Sequence, residues 1–123
     1  MNLLLDTHVL IWWDEGRSLS TEARQAIERA DAVYVSAASA WEVAIKTGLG
    51  RLRPTRSVEE ATLESGFLEL PVTFGHAERV AGLPVHHRDP FDRMLVAQAE
   101  VEGLRLVTRD SVFGRYGVEV LGA

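Results

Sequence analysis

Cysteine is absent from this chain, and that one absence removes thiol nucleophiles, cysteine-ligated zinc and disulfide staples together. It also fits a reducing compartment. No stretch approaches the roughly 18–20 consecutive apolar residues that a helical membrane span requires. Asp6 interrupts the opening run Leu3–Leu5 at once, so the first residues do not resemble a signal peptide. Together these absences predict a cytoplasmic protein with no membrane association. Basic residues are in deficit: 13 Lys and Arg stand against 18 Asp and Glu, for a formal net charge of −5. Bulk attraction for a polyanion is therefore excluded, and any contact with nucleic acid must use local basic residues or bound cations. The histidines His8, His76, His86 and His87 show no HExxH spacing, which argues against zinc.

What is present is ordinary globular material. The chain has 123 residues, 46% of them hydrophobic and 25% charged, enough apolar surface for one core in one domain spanning 1–123. Repeats, low-complexity stretches and linkers are lacking. Short apolar runs alternate with helical periodicity. Asn2–Leu5 predicts a strand and Thr7 to about Glu15 a helix; Ser20 to about Ala30 predicts a second helix and Val33–Val35 a second strand. Ala37 to about Thr47 follows as a helix whose Trp41, Val43, Ala44 and Ile45 suggest buried surroundings. Ser57–Ser65 predicts a short helix, Phe67–Val72 an ambiguous strand, and Thr73 to about Ala81 a helix with Phe74, Ala77, Val80 and Ala81 on one side. Pro90 to about Glu102 is the clearest helix, and Leu104–Val107 and Val118–Leu121 are the last strands. This alternation predicts a mainly parallel sheet covered by helices on both faces.

Asp6 and Asp110 each follow a predicted strand. In an open parallel sheet, groups just past the strand ends line the ligand crevice, so these two acids would face one another if their strands are neighbours. Glu42 falls in the second turn of a helix that follows a strand, and Asp92 in the first turn of the helix that begins at Pro90. Each also has a plainer reading. Asp6 and Asp110 suit helix N-caps, and Glu42 a solvated helix position. Asp89–Pro90–Phe91–Asp92 is a near-ideal helix start with Asp89 as its cap. A cluster of unpaired carboxylates would repel itself, so four together would call for cations. His8 stands two residues after Asp6 and is a site neighbour; His86 and His87 fit a loop before the capped helix.

Four segments carry a family resemblance: Asp6–Trp13, Ser36–Lys46, Asp89–Ala99 and Leu106–Asp110. In order and in spacing they resemble the PIN-domain ribonucleases, and more narrowly the VapC toxins of bacterial toxin–antitoxin pairs. The resemblance implies a three-layer α/β/α fold with a central, mainly parallel sheet of four to five strands. It implies Mg²⁺-dependent cleavage of RNA (Mn²⁺ being an alternative), inhibition of translation, a cognate VapB-like antitoxin and a homodimer. Carried across residue by residue, the metal-binding and catalytic acids fall on Asp6, Glu42, Asp92 and Asp110. Thr7 and Thr108 fall where a polar side chain supports the site, and Asp89 is an added acid that is either ligand or cap.

Lys46, Arg51, Arg53 and Arg56 bunch after the Glu42 helix, Arg88 and Arg93 flank Asp89–Asp92, and Arg109 precedes Asp110. Lys46, Arg51, Arg53, Arg93 and Arg109 are the candidates for holding RNA phosphates. Adjacent Trp12 and Trp13 point about 100° apart on a helix, so Trp12 is expected at a partner surface, with base stacking the lesser use. Two other readings compete: an idle interaction module of the same fold, and a receiver-like phospho-acceptor switch. The latter fits poorly, because Ser36 rather than an acid follows Val35, and Arg109–Asp110 rather than a lysine follows the later strand.

Overall fold

Leu3, Leu4 and Leu5 have no solvent exposure at all, which is what a strand covered on both faces requires of its sequence. In the computed structural model, which describes residues 1–123, these leucines form the last three residues of β1 (Asn2–Leu5). The chain continues through α1 (Thr7–Asp14), α2 (Thr21–Arg29), β2 (Ala32–Ser36), α3 (Ala37–Gly48), α4 (Val58–Glu64), β3 (Leu68–Leu70) and α5 (Phe74–Ala81). It ends with α6 (Pro90–Glu102), β4 (Arg105–Thr108), a 3₁₀ turn (Ser111–Tyr116) and β5 (Val120–Gly122).

The sheet has five strands in the order β3-β2-β1-β4-β5, and every pair is parallel. Because side chains alternate across a strand, β1 divides its leucines between two cores. Leu3 and Leu5 pack with Val9, Leu10, Ile27, Val43 and Val58 on one face. Leu4 packs with Leu95, Val96, Leu106 and Phe113 on the other. Helices α1 to α4 thus cover one face, and α5, α6 and the 3₁₀ turn the other, giving the three-layer α/β/α arrangement. None of the helices is long and apolar enough to cross a membrane.

Local chemistry sets the ends of α6. Asp89 Oδ1 accepts from the backbone N–H groups of Phe91 (2.8 Å) and Asp92 (3.2 Å), with Pro90 at the first helical position. Gly103, at φ 67°, terminates the helix in the left-handed region, where a side chain would be strained. That turn feeds the chain directly into β4.

Glu42 is buried, as its sequence surroundings predict, but the exposed faces of α3 and α5 carry more apolar residues than burial of those helices would lead one to expect. On α3 the buried residues are Ala38, Ser39, Glu42 and Val43, a stripe at helical spacing. Trp41 is 65% exposed and Ile45 and Ala44 also face outward, so of the four neighbours that suggested burial only Val43 is buried along with Glu42. On α5 the buried residue is His76, while Phe74 is 90% exposed and Ala77 is exposed too. His76 is drawn inward by polar bonds: its Nδ1 accepts from the Thr73 N–H (3.1 Å), and its Nε2 lies 2.8 Å from Glu102 Oε2.

Candidate active site

The order of the strands creates the site. The chain runs outward from β1 to β2 and β3, then returns to place β4 on the other side of β1. Crossovers leave in opposite directions from this switch point and open a crevice beyond the carboxyl ends of β1 and β4. Asp6 is the residue after β1, and Asp110 stands two residues after β4. The crevice is a cleft of about 340 Å³ lined by Asp6, His8, Trp12, Glu42, Lys46, Asp89, Asp92, Arg109 and Asp110.

The cleft's carboxylates are held in different ways. Asp6 occupies the cap position of α1 but makes no side-chain capping bond; its Oδ2 instead accepts from the Thr108 hydroxyl at 2.8 Å. The same hydroxyl accepts from the Asp110 N–H at 3.0 Å, so Thr108 links the ends of β1 and β4. Glu42 is 3% exposed. Its Oε1 accepts from the Thr7 hydroxyl (2.7 Å) and its Oε2 from Lys46 Nζ (2.5 Å), one helical turn onward. Ser39 Oγ lies 2.8 Å from the Thr7 hydroxyl and completes this network. Asp110 does act as a cap, with Oδ1 accepting from Val112 N–H at 3.0 Å, while its Oδ2 turns into the cleft.

Crowding and burial leave an electrostatic signature. Burial pushes the Asp6 carboxyl above its ordinary range, opposed by the Thr108 hydrogen bond. Asp92 is pushed up to about 8, first by burial and then by the charges of Asp6, Asp89, Glu42 and Asp110. Lys46 is held above the ordinary lysine value by its bond to Glu42. The side-chain donor set is dominated by carboxylate oxygen, with no sulfur available, which suits hard divalent cations such as Mg²⁺ or Mn²⁺. A shared cation would also relieve the repulsion that raises Asp92.

The basic residues divide. Lys46 and Arg109 lie in the cleft wall, whereas Arg51 and Arg53 are exposed in the connection after α3 and do not line it. Arg56 forms a bidentate pair with Asp14. Arg109 donates to Ser18 O and stacks 4.1 Å over the Trp12 ring. Trp12 lines the cleft, while Trp13 packs inward against Phe67.

Arg93 does not fit the role of a phosphate contact. Its guanidinium is directed into the protein, toward the carbonyls of Val80 (3.1 Å), Pro84 (3.0 Å), Leu83 (3.4 Å) and His87 (3.5 Å). The planar fork suits several carbonyls at once, and this holds the 82–89 connection against α6. Arg93→Ala is expected to cost about 2 kcal/mol in a urea titration, with the loop protons exchanging faster with solvent. An unchanged midpoint would contradict this role.

Sequence reasoning overlooked two residues. His87, expected only as loop, lies with Nε2 2.8 Å from Asp92 Oδ2 and 3.2 Å from Asp110 Oδ2. Position was the available signal: two residues before the cap of a helix, a side chain can fold back over that helix's first turn, where Asp92 stands. Tyr116 was also missed. Its hydroxyl accepts from the His87 N–H at 2.6 Å and so fixes the loop.

Fold and cleft together define a class: a doubly wound α/β protein with an oxygen-rich carboxylate site at its topological switch point. The chain belongs to the PIN-domain family, whose model matches residues 3–119. It is 37% identical over 113 residues to Ribonuclease VapC22 of Mycobacterium tuberculosis, an alignment covering 88% of this chain and 86% of that protein. Among solved structures it resembles VapBC2 from Rickettsia felis bound to a promoter DNA fragment, with a TM-score of 0.70, 12% identity and coverage of 99% and 98% of the two chains. A toxin–antitoxin complex from Klebsiella pneumoniae is similar at a TM-score of 0.61 and 24% identity, covering 89% of this chain and 87% of that one.

Proposed function

We propose that this chain is a metal-dependent endoribonuclease of the VapC type, a toxin that cleaves RNA, thereby inhibits translation, and is neutralised by a cognate VapB-like antitoxin. The observation that carries the reading is the convergence of Asp6, Glu42, Asp92 and Asp110, from four separate parts of the chain, on one cleft. An idle interaction module would gain nothing from this crowding, which leaves Asp92 unfavourable to ionise without a cation. The likeness to a named ribonuclease supports the nuclease reading.

In this reading Asp6, Asp92 and Asp110 hold Mg²⁺ or Mn²⁺. Glu42 stands behind them, positioned by Thr7 and Lys46. The bound ion supplies activation of a water and charge stabilisation for in-line displacement at the phosphodiester. Thr108 keeps Asp6 oriented toward the cleft, and Asp89 serves chiefly as the cap that fixes Asp92 in the first turn of α6. Arg109 and Lys46 supply positive charge at the cleft edge for the RNA backbone, which answers the overall acidity of the chain.

Partners have a surface to use. Between α3, α5 and α6 lies an apolar groove of about 360 Å³ walled by Trp41, Phe91 and Met94, with Phe74 exposed nearby on α5. Exposed apolar area of this kind supports a homodimer. A fold shared with a toxin–antitoxin complex supports the antitoxin partner.

The test is direct. Purified protein incubated with structured RNA and Mn²⁺ or Mg²⁺ should yield internal cleavage products, and EDTA should abolish them. Cleavage that persists undiminished in EDTA would overturn the metal reading, and the absence of any product across transfer, ribosomal and messenger RNA would overturn the nuclease reading.

A further inference from the structure

The position of His87 poses a chemical question that its tautomer answers. Nδ1 of the ring faces the backbone N–H of Asp89 and accepts from it at 3.3 Å. A neutral imidazole carries one proton, so a lone pair engaged at Nδ1 leaves the proton on Nε2. Nε2 is the atom that stands 2.8 Å from Asp92 Oδ2 and 3.2 Å from Asp110 Oδ2. It therefore presents a donor to these carboxylates and has no lone pair to offer a cation.

The surroundings hold that donor in place. The backbone of residue 87 is fixed independently of its side chain: its N–H donates to the Tyr116 hydroxyl at 2.6 Å, and its carbonyl lies 3.4 Å from the same oxygen. The ring packs at a tilt against Phe113, with centroids 5.9 Å apart. Asp110 is constrained from the opposite side by its bond to Val112 N–H. Asp92 is free of capping duty, because Asp89 caps α6 in its place. One ring thus reaches two acids that lie on different elements, one from α6 and one following β4.

We infer that His87 is a positioning residue, whose Nε2–H holds Asp92 and Asp110 at the spacing in which the two carboxylates would serve one divalent cation. This rests on the metal reading proposed above and deepens it. His87 acts through the carboxylates, in the way that hydrogen bonds from an outer shell orient metal ligands. The cation itself is met by oxygen.

The experiment measures Mn²⁺ binding by calorimetry, without RNA, for wild type, His87→Ala and His87→Gln. The alanine variant should bind about 10–100-fold more weakly, while the glutamine variant, whose amide N–H reaches a similar place, should recover most of the loss. Melting of the metal-free alanine variant should change little, since Tyr116 grips the backbone. Nitrogen NMR of wild-type protein should find the proton on Nε2, and the Mn²⁺ spin-echo spectrum should lack a directly coordinated imidazole nitrogen. Equal affinity of wild type and His87→Ala overturns this inference alone, as does a coordinated nitrogen. Should the alanine variant not fold, the wild-type tautomer decides, and a proton on Nδ1 overturns the assignment. A wild type that binds no Mn²⁺ defeats the metal reading and this inference with it.

Discussion

Asp92→Asn and Asp6→Asn should each lower RNA cleavage by about 10²–10³-fold or more, the scale on which an enzyme loses a preorganised group acting on transition-state charge. The expectation follows from the shared cleft, where each acid would contribute an oxygen to the same ion. Both variants remain nearly the size and shape of the original, so the loss belongs to charge and not to packing. Expression in a bacterial host gives a second readout. Wild type should arrest growth, and neither variant should. Arrest by both variants at the wild-type rate would exclude the mechanism proposed here. Since the residues act on a common centre, the double variant should fall little further than either single one.

The second large effect is on stability, and it runs opposite to activity. Asp92 in the folded protein is pushed up to about 8 from an ordinary 3.8, and Asp6 is raised in the same direction. Below about pH 4 both folded and unfolded chains hold these protons, and the contribution is complete. As pH rises toward 8, the unfolded chain has lost them while the folded cleft still retains them. Stability of the metal-free protein should therefore decline through this window and level off above it. Asp31, which the N-terminal amine holds below its usual range, acts with opposite sign but only at pH below 3.8. Allowing for the partial exposure of Asp92, the decline is about 1–3 kcal/mol. Thermal melts between pH 5 and 8.5 in EDTA would measure it. Asp92→Asn should flatten the profile and melt higher than wild type at pH 8.5. Added Mn²⁺ should raise the wild-type midpoint most at that pH, because binding then displaces the fewest protons. A flat wild-type profile would show that crowding in the cleft is relieved by other means.

Much of this molecule is legible in local sequence. The Asn2–Leu5 run, with Asp6 at once behind it, announced a strand with an acid at its end, and β1 is that strand, which the structure shows buried on both faces. Asp89–Pro90 announced the start of α6, and Asp89 does cap it. Periodicity located the helices because the signal resides in residues three and four apart. Phe67–Val72 stayed ambiguous, and only three of its residues, Leu68–Leu70, form the edge strand β3. With a single neighbouring strand, β3 needs little β-propensity of its own.

The carboxylates show the boundary most clearly. Sequence alone placed Asp6 and Asp110 after strands, and a motif match brought Glu42 and Asp92 to the same list. That all four line one cleft follows from β1 lying between β2 and β4, and neighbours along the chain do not encode strand order. The same limit explains the misreadings. The apolar residues of α3 suggested burial, yet Trp41 faces outward. Arg93 looked free for phosphate and is held by carbonyls of the 80–87 stretch. His87 looked like loop and touches two acids of the cleft. Caps and periodicity are settled by a few adjacent residues, so the sequence carries them by itself. Which side chains meet across the cleft depends on how distant elements pack, and only the tertiary structure decides that.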